Sequence, residues 1–153
     1  MHLAELNIAR LSQPIDHPDI ADFVDNLDRI NGLAERMPGF VWRFKDESGN
    51  ATNVQAFEDP MLIPNLSVWE SAVDLERFVW GTIHRKFYER KDEWFLLMAE
   101  HHFVMWWVEE GHLPDLSEAK ARLELLRSNG PSEEAFGWAD LHSAKLWEKS
   151  RCA

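Results

Sequence analysis

Apolar and polar positions alternate with a period of two in three stretches and recur every three or four residues in three others, so strands and amphipathic helices are both predicted. Leu3 to Leu11 is the first strand, with Ala4, Leu6 and Ile8 on one face and Leu3, Glu5, Asn7 and Ala9 on the other. Pro14, Asp16 and Pro18 break it, and Pro18 suits the first turn of a helix. From Ile20, the positions Phe23, Val24, Leu27, Ile30, Ala34 and Met37 form one helical stripe, which Pro38-Gly39 ends. Phe40 to Lys45 then alternates Phe40, Trp42 and Phe44 against Val41, Arg43 and Lys45. Asp46 to Asn53, with Gly49-Asn50, is a predicted turn or loop, followed by a short extended piece at Val54 to Phe57.

Leu66 to Glu70 alternates again. Ser71 reads as an N-cap with Asp74 three residues on, opening a helix that runs to about Arg90 and buries Val73 or Leu75, then Phe78, Val79, Ile83 and Phe87. Phe103 to Glu109 is apolar on both faces, the pattern of a strand covered on two sides, and Gly111 and Pro114 stop it. A third helix starts after Ser117 as its cap, carries Ala121, Leu123, Leu125 and Leu126, and closes at Asn129-Gly130-Pro131, a left-handed cap followed by a proline. The order β-α-β-β-α-β with an extra C-terminal helix predicts an α+β fold of the ferredoxin-like, split βαβ kind with an antiparallel sheet. Its last strand needs cover on both faces. A second copy's sheet is the natural cover, so a homodimer is expected.

Composition narrows the partners. A chain of 153 residues with 45% hydrophobic positions is one globular domain. The net charge of −11 repels phosphate backbones, which argues against nucleic acid. The basic run Arg85 to Lys91 is interrupted by Glu89 and falls near a helix C-terminus, where cations suit the dipole. No segment is long and apolar enough to span a membrane and no signal peptide is seen, so a cytoplasmic location is expected. The one cysteine, Cys152, lies beside the C-terminus and offers no intrachain disulfide.

Several segments occur in a familiar order: Leu6-Asn7-Ile8-Ala9, Ile30-Asn31-Gly32-Leu33-Ala34, Pro38-Gly39-Phe40-Val41-Trp42-Arg43, Trp94-Phe95, Trp106-Trp107-Val108, Gly111-His112, Gly130-Pro131 and Glu134-Ala135-Phe136. Together they closely resemble a bacterial family of unknown function in the dimeric α/β-barrel superfamily. Antibiotic-biosynthesis monooxygenases, stress-response barrel proteins and chlorite-dismutase-like haem proteins are more distant members. The resemblance covers about residues 3–137 and implies a ferredoxin-like protomer, residues 1–137 with the third helix at about 117–129, whose sheet packs on a partner's to close a barrel. It leaves 138–153 as a tail individual to this chain and carries over no catalytic residue.

The chemistry-bearing residues are few. Seven histidines show no metal-ligand spacing, and the adjacent His101 and His102 would point to opposite faces of a strand, so no metal site is expected. No cofactor is expected either; were haem bound, as in some distant relatives, His84 is the proximal candidate. Ser67, Ser71 and Ser117 sit at strand or cap positions and lack a nucleophile-elbow motif. Eight Trp and nine Phe against one Tyr make ring surface abundant. Strand parity places Asn7 and Arg43 on faces turned away from the helices, lining a cavity with Trp69 and one of Trp106 and Trp107. Glu5 shares the face of Asn7; buried, it would have a raised pKa and could serve as a base, and otherwise it would pair with Arg43.

Three functions follow as expectations. The first is binding of a small apolar or aromatic molecule between sheet and helices. The second is cofactor-free monooxygenase or isomerase chemistry, with Asn7 and Arg43 stabilising an oxyanion. The third is a structural dimerisation domain in which the rings fill the barrel or the interface.

Overall fold

β1 (His2–Leu11) is the strand around which the molecule is built. In the computed structural model, which describes residues 1–45, 57, 59–82, 84–98 and 100–141, it is followed by α1 (Ala21–Arg36), β2 (Phe40–Arg43), β3 (Leu62–Trp69), α2 (Ala72–Gly81), α3 (His84–Glu89), β4 (Phe95–Leu96), β5 (Phe103–Val108) and α4 (Leu116–Asn129). The five strands form one antiparallel sheet, so the α+β class predicted from the pattern is the class observed. β1 pairs with β3 along one edge, and along the other with β5 and, at its end, with β4; β2 lies outside β3.

The two faces of β1 divide as its alternation predicts. Ala4, Leu6 and Ile8 are buried with Leu66 and Val68 of β3 and Val104 and Trp106 of β5, under Ala119, Leu123 and Leu126 of α4. Leu3 points the other way with Trp69 and Met105, against Ala34 of α1 and Ala72, Leu75 and Phe78 of α2. The face expected to await a partner's sheet is therefore covered by the chain's own third predicted helix. Its apolar residues supply enough small and branched side chains to make that contact dry, with Ala4, Leu6, Leu66, Val68, Val104, Trp106 and Ala119 all at 0% exposure.

Local chemistry explains where the elements depart from the pattern. The helix expected to run from Ser71 to about Arg90 begins as predicted, with Ser71 Oγ accepting from Asp74 N and donating to Asp74 Oδ2. It then breaks at Thr82, whose hydroxyl donates to Phe78 O at 2.6 Å and accepts from His84 N at 3.2 Å, ending α2 and feeding α3. Of Val73 and Leu75, Leu75 is the buried one. β3 begins four residues earlier than its alternation suggests because Pro64 masks it. Pro64 lies opposite Ile8, whose own N–H is bonded to His102 O on the far side of β1, so the proline nitrogen points away from β1 and past the last residue of β2. β4 is only two residues long and gives no readable period. The predicted loop at Asp46 to Asn53 and nearly all of the extended piece after it fall outside the described residues.

α4 is capped by Asp115 rather than Ser117. Asp115 is extended at φ −95°, ψ 174°, and its Oδ1 accepts from Glu118 N at 2.8 Å, which leaves Ser117 inside the first turn. Asp115→Ala should therefore cost about 0.5–2 kcal/mol in urea denaturation, while Ser117→Ala should stay within about 0.5 kcal/mol of wild type. Equal losses would return the cap to Ser117.

Candidate functional site

Two apolar clusters hold the α1 side of the sheet at its ends. At one, Leu3, Trp69 and Met105 pack with Leu75 and Phe78; at the other, Leu11 packs with Ile20 and Trp94, and Phe23 and Phe87 close round them. Between the clusters β1 and β3 turn polar, with Glu5 and Asn7 of β1 opposite Ser67 and Asn65 of β3, while β5 sets Met105 and Phe103 on their other side. Glu5 and Ser67 are buried, whereas Asn7 and Asn65 are exposed. At Asn7, β1 has a neighbour on each side, Asn65 and Phe103. An exposed side chain on such an interior strand means that the layer above the sheet is open there.

Glu5 is the chemical centre of this floor. Ser67 Oγ donates to Glu5 Oε1 at 2.6 Å, and Trp69 Nε1 donates to Ser67 Oγ at 3.0 Å. The ring of Trp69 is fixed in turn by stacking on Phe78 (5.4 Å, 22°) and by the edge-on ring of Phe40 (5.4 Å, 84°). Burial pushes the Glu5 carboxyl up to about 8, against the smaller opposing effect of the Ser67 hydrogen bond. Of the two readings of Glu5 that its sequence allows, the buried one with a raised pKa is observed. Arg43 lies opposite Ser67 in the register but is spent on Glu35 of α1, its Nε donating to Oε1 at 2.7 Å.

The chain's relatives add one finding. A model of the family described as a domain of unknown function, DUF3291, matches residues 2–152, so the match continues through the C-terminal tail. The chain belongs to the DUF3291 family. No curated protein matches it.

In this DUF3291 chain the residues singled out from the sequence are only partly brought together. Glu5 and Trp69 meet through Ser67. Asn7 is two positions from Glu5 on the same face, but that face, shared with Leu3, Met105 and Trp69, looks toward α1 and α2 and not away from the helices as expected. Arg43 is also on the α1 side. A register shift between Phe40 and Trp42 puts Arg43 on the face of Phe40 rather than opposite it, reversing the parity that simple alternation implies. Trp106 leaves the site altogether: it faces α4, is fully buried, and donates from Nε1 to Glu118 Oε2 at 2.9 Å. Trp107 shares the α1 side but lies opposite Leu3, at the far end, 38% exposed beside Phe136.

His84 reaches the cluster only through a ring. Its imidazole lies 5.0 Å from Phe78, and burial lowers its pKa, which keeps it neutral. Nδ1 is 3.2 Å from Val79 O, so Nδ1 carries the proton and Nε2 is left as an acceptor. The residues that sequence reasoning passed over are Ser67 and Asn65. Ser67 was readable in one respect, since it stands two residues before Trp69 on the same strand face. The arginines of the basic run are paired, Arg85 with Glu89 and Arg90 with Glu93 and with Asp22 of α1. A separate open groove of about 590 Å³ lies between the end of α4 and the turn at 137–140. Its cation, Arg127, already donates to His101 O and pairs with Glu124.

The Glu5 shift has a definite sign in stability. Between the ordinary carboxyl value of 4.5 and about 8, the unfolded chain releases a proton that the folded chain keeps, so folding weakens as pH rises through that window. Glu5→Gln removes this term. Urea denaturation from pH 4 to 9 should show wild type losing stability relative to Glu5→Gln by up to about 1.4 kcal/mol per pH unit within the window. Parallel pH profiles for the two proteins would rule out the raised pKa.

Proposed function

We propose that this domain binds a small organic molecule between the sheet and the layer of α1 and α2, on the floor made by Glu5, Asn7, Asn65 and Ser67. The observation that carries the reading is the pairing of two exposed asparagines, Asn7 and Asn65, with a buried carboxyl on the same sheet face, between two apolar clusters. A mostly apolar recess with a few polar anchors is the usual make-up of a small-molecule site. The strand order β5-β1-β3-β2, with helices following β1 and β3, supports a ferredoxin-like reading of the protomer, in keeping with the barrel superfamily that the sequence resembles. Fold alone carries no activity, so the site bears the argument.

A second reading, acid–base chemistry on an enolisable substrate without a cofactor, is favoured by Glu5 itself. A carboxyl with a pKa of about 8 is a far stronger base than an exposed glutamate once it loses its proton, and Ser67 holds it in one orientation.

Asn7→Trp tests the location, because Asn7 is exposed and an indole there fills the recess without disturbing the buried faces. In a thermal-shift screen of small aromatic and aliphatic metabolites, a binder at about 100 times its Kd should stabilise wild type by about 2.7 kcal/mol. The same compound should leave Asn7→Trp unshifted. Equal shifts in both proteins, or none in wild type, would count against the reading.

A further inference from the structure

We infer that Glu5 acts as a neutral hydrogen-bond donor, so that the recess selects a molecule presenting an acceptor oxygen, such as a ketone, enolate or phenolate, over one presenting a cation. This rests on the reading that the recess binds a small molecule, and specifies what it binds.

The direction of the hydrogen bonds carries the argument. An indole N–H can only donate, so the bond from Trp69 Nε1 to Ser67 Oγ fixes that oxygen as acceptor. The hydroxyl proton of Ser67 is then free to point at Glu5 Oε1, 2.6 Å away. Oε1 is thereby committed as an acceptor, and a proton on the carboxyl belongs on Oε2. Glu5 is buried, with 5% of the residue exposed, and an ionised carboxylate without a counter-charge is costly at such a place.

Among the described residues, the surrounding elements do not supply that counter-charge, and burial and the Ser67 hydrogen bond are what act on the carboxyl. β2 contributes Arg43, already paired with Glu35 of α1. α2 contributes Glu76, buried and itself partnered, and α3 contributes His84, held neutral. β3 and β5 contribute Ser67 and Met105 as the cross-strand neighbours. With Arg43 already paired, burial decides the balance and favours the acid over the anion. Trp69 offers no alternative cation platform, since Phe78 stacks on it and Phe40 meets it edge-on.

A matched panel of aryl ketones, phenols and arylalkylamines, titrated calorimetrically from pH 6 to 10, separates the cases. Ketones should bind, and their Kd should rise about tenfold per pH unit above the Glu5 pKa of about 8. Glu5→Gln, whose amide can also donate, should bind them within a few fold of wild type at pH 7 and show no such rise, whereas Glu5→Ala should lose about tenfold. If the amines bind instead, more tightly as pH rises and only with Glu5 present, the donor assignment is overturned while the binding site stands. If no member of the panel binds, both fall.

Discussion

β1 is paired on both edges, and wherever it is also covered on both faces a polar side chain must find its partner within those layers. That constraint falls on Glu5. Its carboxyl has two cross-strand neighbours, Ser67 and Met105, and only Ser67 can hydrogen-bond. Ser67 in turn is oriented by Trp69, which Phe78 and Phe40 hold in place. The aromatic packing of α2 on the sheet thus ends, three contacts later, in the orientation of one carboxyl.

The two faces of the sheet divide the work. Under α4 the surface is dry, and even Trp106, whose indole N–H needs a partner, is satisfied at the rim by Glu118, which also bonds His112 at 2.6 Å. Under α1 and α2 the apolar contacts gather at the two ends and leave the middle polar. A continuous apolar stripe on that face would be simpler to stabilise, since a buried carboxyl costs free energy that burial of a leucine would contribute. Keeping Glu5 there trades stability for a chemical group held in one orientation, as expected of a functional position.

Much of this was legible in the residues. The alternation of β1 separates Ala4, Leu6 and Ile8 from Leu3, Glu5 and Asn7 as observed, and the Ser71 cap and the Asn129-Gly130-Pro131 ending mark real helix ends. Which helix covers which face was not legible, because amphipathic stripes on α1, α2 and α4 fit either side of a sheet equally well. The same ambiguity misplaced Asn7 and left the choice between Trp106 and Trp107 open. Arg43 was misjudged for a different reason, a bulge in β2 that no local pattern announces. Ser67 became visible as part of the site only once β1 and β3 were in register, since its link to Glu5 spans 62 residues of sequence.

The central claim is that Glu5 is a buried carboxylic acid rather than a carboxylate at neutral pH. Carbon-13 NMR of the side-chain carboxyls, with the Glu5 signal identified by its absence in Glu5→Gln, measures this directly across a pH titration. The signal should keep the shift of a protonated acid through pH 7 and move with a midpoint near 8. A midpoint near the ordinary value of 4.5 would contradict the account.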